Sequence, residues 1–372
     1  MTTRMSLLVS ILAAAAWLAP RARCAEGGPT DATPLFEVQD LFESVRIPNV
    51  VVTTDGTVLA FARSGRVVRR SDDGGQTWSP IEEVGRDAGG SAIVDENTGD
   101  VLVVGIGSLW RSRDRGKTWT REEIVVKPNP LGHGAPGKVP AQTACSESGI
   151  TLRYGKHKGR LLMPVRVQPP EGNNDQQWWP YNYNTAIYSD DGGKTWQTSA
   201  PVQSGTGEGT LAELSNGSIY YNSRSHMAVD HRRRIAWSHD GGQMFVDWSV
   251  SEHLFEVGEP FYFKYGTKPS YGCNAGLVRM PLEATGGNDV LLFSTPDDPG
   301  GNRVRMTVWA SFDRGETWPV KRLVYGGPSA YSSLAAGPDG TIYLLFERGT
   351  NKLYERVALA RFNLAWLTAK RD

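Results

Sequence analysis

Five times along this chain a serine is followed, at fixed spacing, by an aspartate, a glycine and an aromatic residue. SDDGGQTW at 71–78, SRDRGKTW at 112–119, SDDGGKTW at 189–196 and SFDRGETW at 311–318 share the pattern S-x-D-x-G-x-T-W. SHDGGQMF at 238–245 keeps the Ser, Asp and Gly, with Met-Phe in place of Thr-Trp. The motif has the chemistry of a hairpin turn. Its Asp accepts from nearby backbone amides, its Gly adopts a backbone angle other residues resist, and its Trp is left to pack between neighbouring units. Repetition on this scale constrains the fold more than any other feature. It says nothing about catalysis, because the same turn serves binding modules and scaffolds.

A second series gives an independent count. Turn signals followed by alternating apolar strands occur at Asp55-Gly56 before TVLAFAR, Gly99 before DVLVVG, Gly159 before RLLMPV, Asn216-Gly217 before SIYYNSR, Asn288 before DVLLFST and Asp339-Gly340 before TIYLLFER. The first five are each followed by an Asp box. The sixth is not, and it takes its outer strand from the segment around 35–42. The expectation is an all-β, six-bladed β-propeller with Asp-box turns and four strands per blade, A to D, whose closure removes exposed sheet edges. Gly turns and boxes then share one face. The starts of A, the ends of B and the starts of C share the other, around the central channel, and that is where a site is expected.

The chain divides into a leader at 1–24, a linker at 25–34 and the propeller at 35–372. Arg4, an apolar run over 7–19 and small residues before Ala25 read as a secretory signal peptide. The run is too short to span a bilayer, so the expected location is secreted or periplasmic, with no stable membrane insertion after cleavage. Acidic and basic residues balance at 40 each, and loss of Arg4, Arg21 and Arg23 with the leader leaves a slightly acidic chain. Nucleic acid is therefore not an expected partner. The histidines lack metal-ligand spacing and no Gly-rich phosphate loop is present, so neither a metal nor a cofactor is expected. Beyond the leader only Cys145 and Cys273 remain; a disulfide and two buried thiols both stay open.

Four segments carry a resemblance to the sialidase (neuraminidase) superfamily, in particular to bacterial-type exo-α-sialidases with Asp-box (BNR) repeats. VRIP at 45–48 is similar to its Arg-Ile-Pro motif, GEGTLAELSNGSIYYNSR at 207–224 to a segment in which Glu and Arg stand sixteen residues apart, NRVRMTVWASFDRGETW to its third-arginine segment, and PSAYSSLAAGPDGTIYLLFE at 328–347 to its nucleophile segment. The resemblance implies that Arg46, Arg224 and Arg303 hold a sugar carboxylate. It also implies that Tyr331 is the nucleophile with Glu208 as its proton acceptor, and that Glu347 supports Arg46. The residue types suit that chemistry: guanidiniums hold a carboxylate by bidentate, charge-assisted bonds, and a neutral tyrosine attacks where a carboxylate nucleophile would be repelled. The strand count alone puts all six residues on one face.

One departure stands out. The family's acid/base Asp lies in the B–C loop of the first blade, but here VLAFARSGRVV shortens that loop to about Ser64-Gly65, with Arg63 where a Glu is expected. Arg63 and Arg66 flank it as possible pocket cations, with rim positions the alternative. Candidate substitute acids are Asp87 and His133 in neighbouring loops, with His226 and Asp230 after Arg224. The insertion PPEGNNDQQWWPYNYN at 169–184 offers Trp178, Trp179, Tyr181 and Tyr183, either to stack on sugars or to pack the loop. Two functions remain: a secreted exo-acting retaining glycoside hydrolase on terminal sialic acid or a related acidic sugar, and a propeller that binds sialylated or other acidic glycans without hydrolysis. The Tyr331–Glu208 pair favours the enzyme, since binding alone needs only the arginines.

Overall fold

The computed structural model describes residues 32–105, 107–132, 142–144, 147–168, 176–227, 230–258 and 272–370. The leader, most of the linker, His133 and Cys145 lie outside the described residues, and Cys273 is a buried free thiol. Strands recur in antiparallel groups of four. Blade 1 is Asn49–Val52, Val58–Ala62, Val67–Ser71 and Glu82–Glu83; blade 2 is Ser91–Asp95, Asp100–Val104, Ser108–Ser112 and Thr120–Glu123. Blade 3 sets Gln142–Ala144 and Ile150–Thr151 against Leu161–Val167, followed by Tyr183–Ser189 and Thr195–Thr198. Blade 4 is Thr206–Glu213, Ile219–Ser225, Arg232–Ser238 and Val246–Phe255.

The last two blades share one strand. The first half of Val320–Ala336 is the outer strand of blade 5, beside Val304–Ser311, Leu291–Pro296 and Gly276–Arg279. Its second half pairs with Ile342–Arg348 as the inner strand of blade 6. Arg356–Phe362 follows, and Phe36–Glu43, from the other end of the chain, completes that blade. Hydrogen bonding therefore counts five sheets where packing makes six blades. Six apolar clusters decide the matter, because each fills one gap between adjacent blades. Val50, Ala60, Leu345 and Leu359 close the gap between blades 6 and 1, and the other five gaps have equivalent cores.

The Asp boxes lock these gaps. In all five the Ser Oγ donates to the Asp at 2.7–2.9 Å and accepts from the box Gly N–H at 2.7–2.9 Å. The Asp accepts from the backbone N–H four residues on, at 2.8–3.1 Å. The box Gly has φ between +83 and +92, so a side chain is disfavoured there by conformation. Space forbids it too. An added Cβ at Gly116 would stand 2.7 Å from Leu59, and one at Gly242 2.5 Å from Leu162, each on the B strand of the preceding blade. Trp196 is fully buried in the same kind of gap, its Nε1 donating to Gly193 O at 2.9 Å.

The A strands line a channel whose box-side end is a cavity of about 150 Å3 bordered by Val50, Leu211, Leu277, Leu334 and Glu147. Glu147 Oε1 accepts from Ser333 Oγ at 3.2 Å, linking blades 3 and 6 across the channel, while Oε2 has no hydrogen-bond partner among the described residues. Burial raises its pKa well above the ordinary carboxyl value, against the opposing bonds from Ser148, Leu334 and Ser333. A carboxyl with a raised folded-state pKa contributes stability that is fully present below its unfolded value and is lost as pH rises through the folded value. Glu147→Gln should therefore melt close to the parent at pH 4 and increasingly above it from pH 6 to 8. Parallel melting curves across that range would contradict the assignment.

Candidate active site

On the face opposite the boxes, four blades contribute to one cluster. Arg46 lies just before the A strand of blade 1, Glu208 in that of blade 4, Arg224 near the end of the blade 4 B strand, and Arg303 just before the C strand of blade 5. Tyr331 is in the blade 6 A strand and Glu347 near the end of its B strand. Two local irregularities aim the central pair. The ladder of blade 4 shifts register between Thr206 and Gly209, around Glu208, and that of blade 6 between Ser329 and Ser332, around Tyr331. Such bulges re-aim side chains that strict alternation would point elsewhere.

Tyr331 Oη donates to Glu208 Oε1 at 2.7 Å. Arg224 Nη1 donates to Glu208 Oε2 at 2.6 Å and to Tyr331 Oη at 3.0 Å. The guanidinium carbons of Arg46, Arg303 and Arg224 lie 5.1, 5.6 and 6.0 Å from the Tyr331 ring centroid. Glu347, fully buried, accepts from Arg46 Nε at 3.0 Å and Nη2 at 3.4 Å. It also accepts from the backbone N–H of Ile47 at 3.0 Å and of Tyr331 at 3.1 Å. Ile47 takes φ +63 to present that N–H, a strained conformation for a β-branched residue. Arg46 Nη1 keeps no partner among the described residues.

Electrostatics separates the central pair. Burial alone would raise the Glu208 pKa, but Arg224 and then Arg166 outweigh it and hold the carboxyl well below its usual range. Burial and the Glu208 charge push the Tyr331 phenol above its ordinary value, with Arg224 and Arg303 opposing. The resting pair is therefore a carboxylate accepting from a neutral phenol. Because the phenolic proton already lies on the line to Glu208, its transfer needs no rearrangement.

Several participants were not singled out from the sequence. Arg166, near the end of the blade 3 B strand, brings Nη1 to 3.6 Å from Glu208 Oε1. The strand-end position shared by Arg224 and Glu347 could have flagged it. Tyr354 stacks its ring 3.9 Å beneath the Arg46 guanidinium and accepts from Arg303 Nη1 at 2.8 Å, joining two of the three arginines. Its B–C loop, on the site face, was the available signal.

Other candidates lie elsewhere. Asp87 is exposed and bound to Arg121 at 2.8 Å on the outermost strand of blade 2; that bond lowers its pKa, the reverse of what a general acid needs. Arg66 is engaged with Glu83, also on an outer strand, at 3.1 Å. Arg63 is exposed and makes no ion pair among the described residues, but its N–H donates to Arg46 O at 2.7 Å. Asp230 is paired with Arg234. His226 is buried against Trp179, ring centroids 4.8 Å apart, and burial, then Arg224, hold it neutral. Tyr183 is also buried, which leaves Trp178 and the exposed Tyr181 as the accessible aromatics of the insertion.

Residues 102–344 match the BNR repeat-like domain, and residues 69–80 the BNR/Asp-box repeat. The chain is 31% identical to a sialidase of Micromonospora viridifaciens over 91% of its own length and 55% of the relative's. It is 26% identical to a sialidase of Bacteroides fragilis over 81% and 59%. It thus spans somewhat more than half of these relatives. Among solved structures, Hadza microbial sialidase Hz136 superposes with a TM-score of 0.63 at 25% identity, covering 87% of this chain and 66% of that one. The leech intramolecular trans-sialidase complexed with 2,7-anhydro-Neu5Ac has a TM-score of 0.66 at 15% identity, over 89% and 71%, a likeness of fold alone.

Tyr354 supplies a test of the arginine cluster. Tyr354→Phe removes the Arg303 bond but keeps the ring under Arg46, and should weaken binding of an acidic monosaccharide by about tenfold, the scale of one hydrogen bond to a charged group. Tyr354→Leu, losing both contacts, should weaken it further. Titration calorimetry giving parent affinity for both variants would exclude the tie.

Proposed function

Because this chain belongs to the BNR-repeat, Asp-box family of bacterial-type sialidases, we propose that it is an exo-acting, retaining glycoside hydrolase that removes a terminal sialic acid or related acidic sugar from glycoconjugates. The observation that carries this reading is the Tyr331–Glu208 pair, 2.7 Å apart beneath three guanidiniums. Arg46, Arg224 and Arg303 hold the carboxylate on the anomeric carbon. Tyr331 Oη then bonds to that carbon as the bond to the leaving oxygen breaks, and the phenolic proton passes to Glu208 Oε1. Water next attacks the same carbon, the bond to Tyr331 breaks, the phenolate recovers its proton from Glu208, and the proton shed by the water balances the one taken up by the departed oxygen through solvent. Each displacement inverts the anomeric carbon, Tyr331 attacking one face and water the other, so the two together retain its configuration. Secretion through the leader at 1–24 is part of the proposal, since glycoconjugate substrates lie outside the cell.

Departure of the leaving group is the weak point of the site. Glu208 and Glu347 are both committed to arginines, and Asp87 lies away from the cluster. Among the described residues this favours one second reading, a propeller that binds acidic glycans without turning them over. Two outcomes separate the readings. Tyr331→Phe should lose turnover of a fluorogenic sialoside by several orders of magnitude while still binding sialic acid; undiminished activity would rule out the covalent route. A leaving group that departs without a proton escapes the need for an acid, which is otherwise worth about 10²–10⁴-fold. Aryl sialosides should therefore be cleaved much faster than sialyl-lactose. Equal rates on both would point to an acid from His133 or another residue beyond those described, and its mutation should slow sialyl-lactose more than the aryl substrate.

A further inference from the structure

Behind Arg224 and Arg303 lies a charge pair that takes no part in the chemistry above. Arg233 and Glu256 are almost completely enclosed, their side chains 1% and 0% exposed, with Nη1 2.9 Å from Oε1. Burying two charges is costly, and replacing such a pair by apolar side chains of similar volume is often neutral or stabilising. Stability is thus a poor account of its presence. Its contacts suggest a better one.

Arg233 Nε donates to Asn222 Oδ1 at 2.6 Å and Nη1 to Cys273 O at 3.1 Å. Glu256 Oε1 accepts from the backbone N–H of Ser225 at 3.0 Å. The pair therefore ties the strand carrying Arg224 to the segment beginning at Gly272. That segment in turn holds the other arginine, for Gly272 O accepts from Arg303 Nη2 at 2.8 Å. The fit is close: a Cβ on Gly272 would lie 2.5 Å from Glu256 Oε2 and 3.0 Å from Arg224 Nε, at a φ of +58. We infer that Arg233 and Glu256 are positioning residues, which fix the separation of Arg224 and Arg303 and so set the affinity for the sugar carboxylate. This rests on the function proposed above only in naming the ligand.

The test is the double variant Arg233→Met/Glu256→Met, in which shape is kept and charge removed. It should fold with a melting temperature near the parent's. KM for a fluorogenic sialoside should rise about tenfold or more, the size of a lost charge-assisted hydrogen bond, while kcat falls by a smaller factor. A folded double variant with KM and kcat near parent values, or with kcat alone reduced, overturns the inference. Should the double variant not fold, Glu256→Gln, with nearly the same volume and one acceptor kept, decides by the same criterion. A crystal structure separates this from the functional reading. If the parent proves inactive on every acidic sugar, displacement of Arg303 from Gly272 O in the variant still supports positioning, and an unmoved Arg303 still refutes it.

Discussion

The site depends first on a pairing between the two ends of the propeller. Phe36–Glu43 lies against Arg356–Phe362, with Phe42 opposite Val357, and Val357 is in turn opposite Glu347. Three residues beyond that first strand comes Arg46, which reaches Glu347 across 301 positions of sequence. The ion pair that orients the first arginine is thus made over the seam of the ring. Opening the seam would remove Arg46 and Ile47 from the buried Glu347 carboxylate, which also holds the backbone of Tyr331. Closure of the fold and order in the site are one event.

Within the closed ring, charge is distributed so that one proton has one place to be. Arg224 and Arg166 crowd Glu208 and keep it ionised despite burial, and the resulting negative charge helps to keep the neighbouring phenol neutral. A substrate carboxylate on the guanidiniums would draw part of their field away from Glu208 and make it a better acceptor for the phenolic proton. In the proposed reaction, binding and activation of Tyr331 would thereby be coupled through shared arginines. Glu347 and Glu256 stand at the back of the cluster, where they offset the surplus of positive charge without occupying the open side of Arg46.

The propeller was legible because its signals are local. A five-fold turn motif and six turn signals before apolar strands report the blades directly, and the strand ends then separate one face from the other. Arg46, Glu208, Arg224, Arg303, Tyr331 and Glu347 were reachable by that rule joined to a family resemblance. Arg166 and Tyr354 satisfied the same positional rule and were passed over, because a single arginine or tyrosine at a strand end has no local mark. What no pattern could show is the aim of a side chain: Glu208 and Tyr331 meet through two register shifts that alternation does not encode. Asp87 failed for a different reason. Its loop lies on the site face, but its partner Arg121 belongs to an outermost strand, and radial distance is not written in the spacing of turns.

The first-blade turn shows how a backbone can decide a question of chemistry. Arg66 N–H donates to Arg63 O at 3.3 Å, and Ser64 and Gly65 between them have the positive-φ pattern of a type I′ turn, with Arg63 itself also left-handed at φ +53. The turn is also held from the side: Gly90 N–H donates to Ser64 O at 2.8 Å, and a Cβ at Gly65 would come within 2.7 Å of Val103. A two-residue loop fastened to the next blade has no length with which to carry a carboxyl over the channel mouth. Substituting an Asp at Ser64 or Gly65 would therefore not by itself create the family's acid, because the reach is missing as well as the residue. In the proposed reaction, a proton for the leaving group would come from another blade or from solvent, or the group would depart without one.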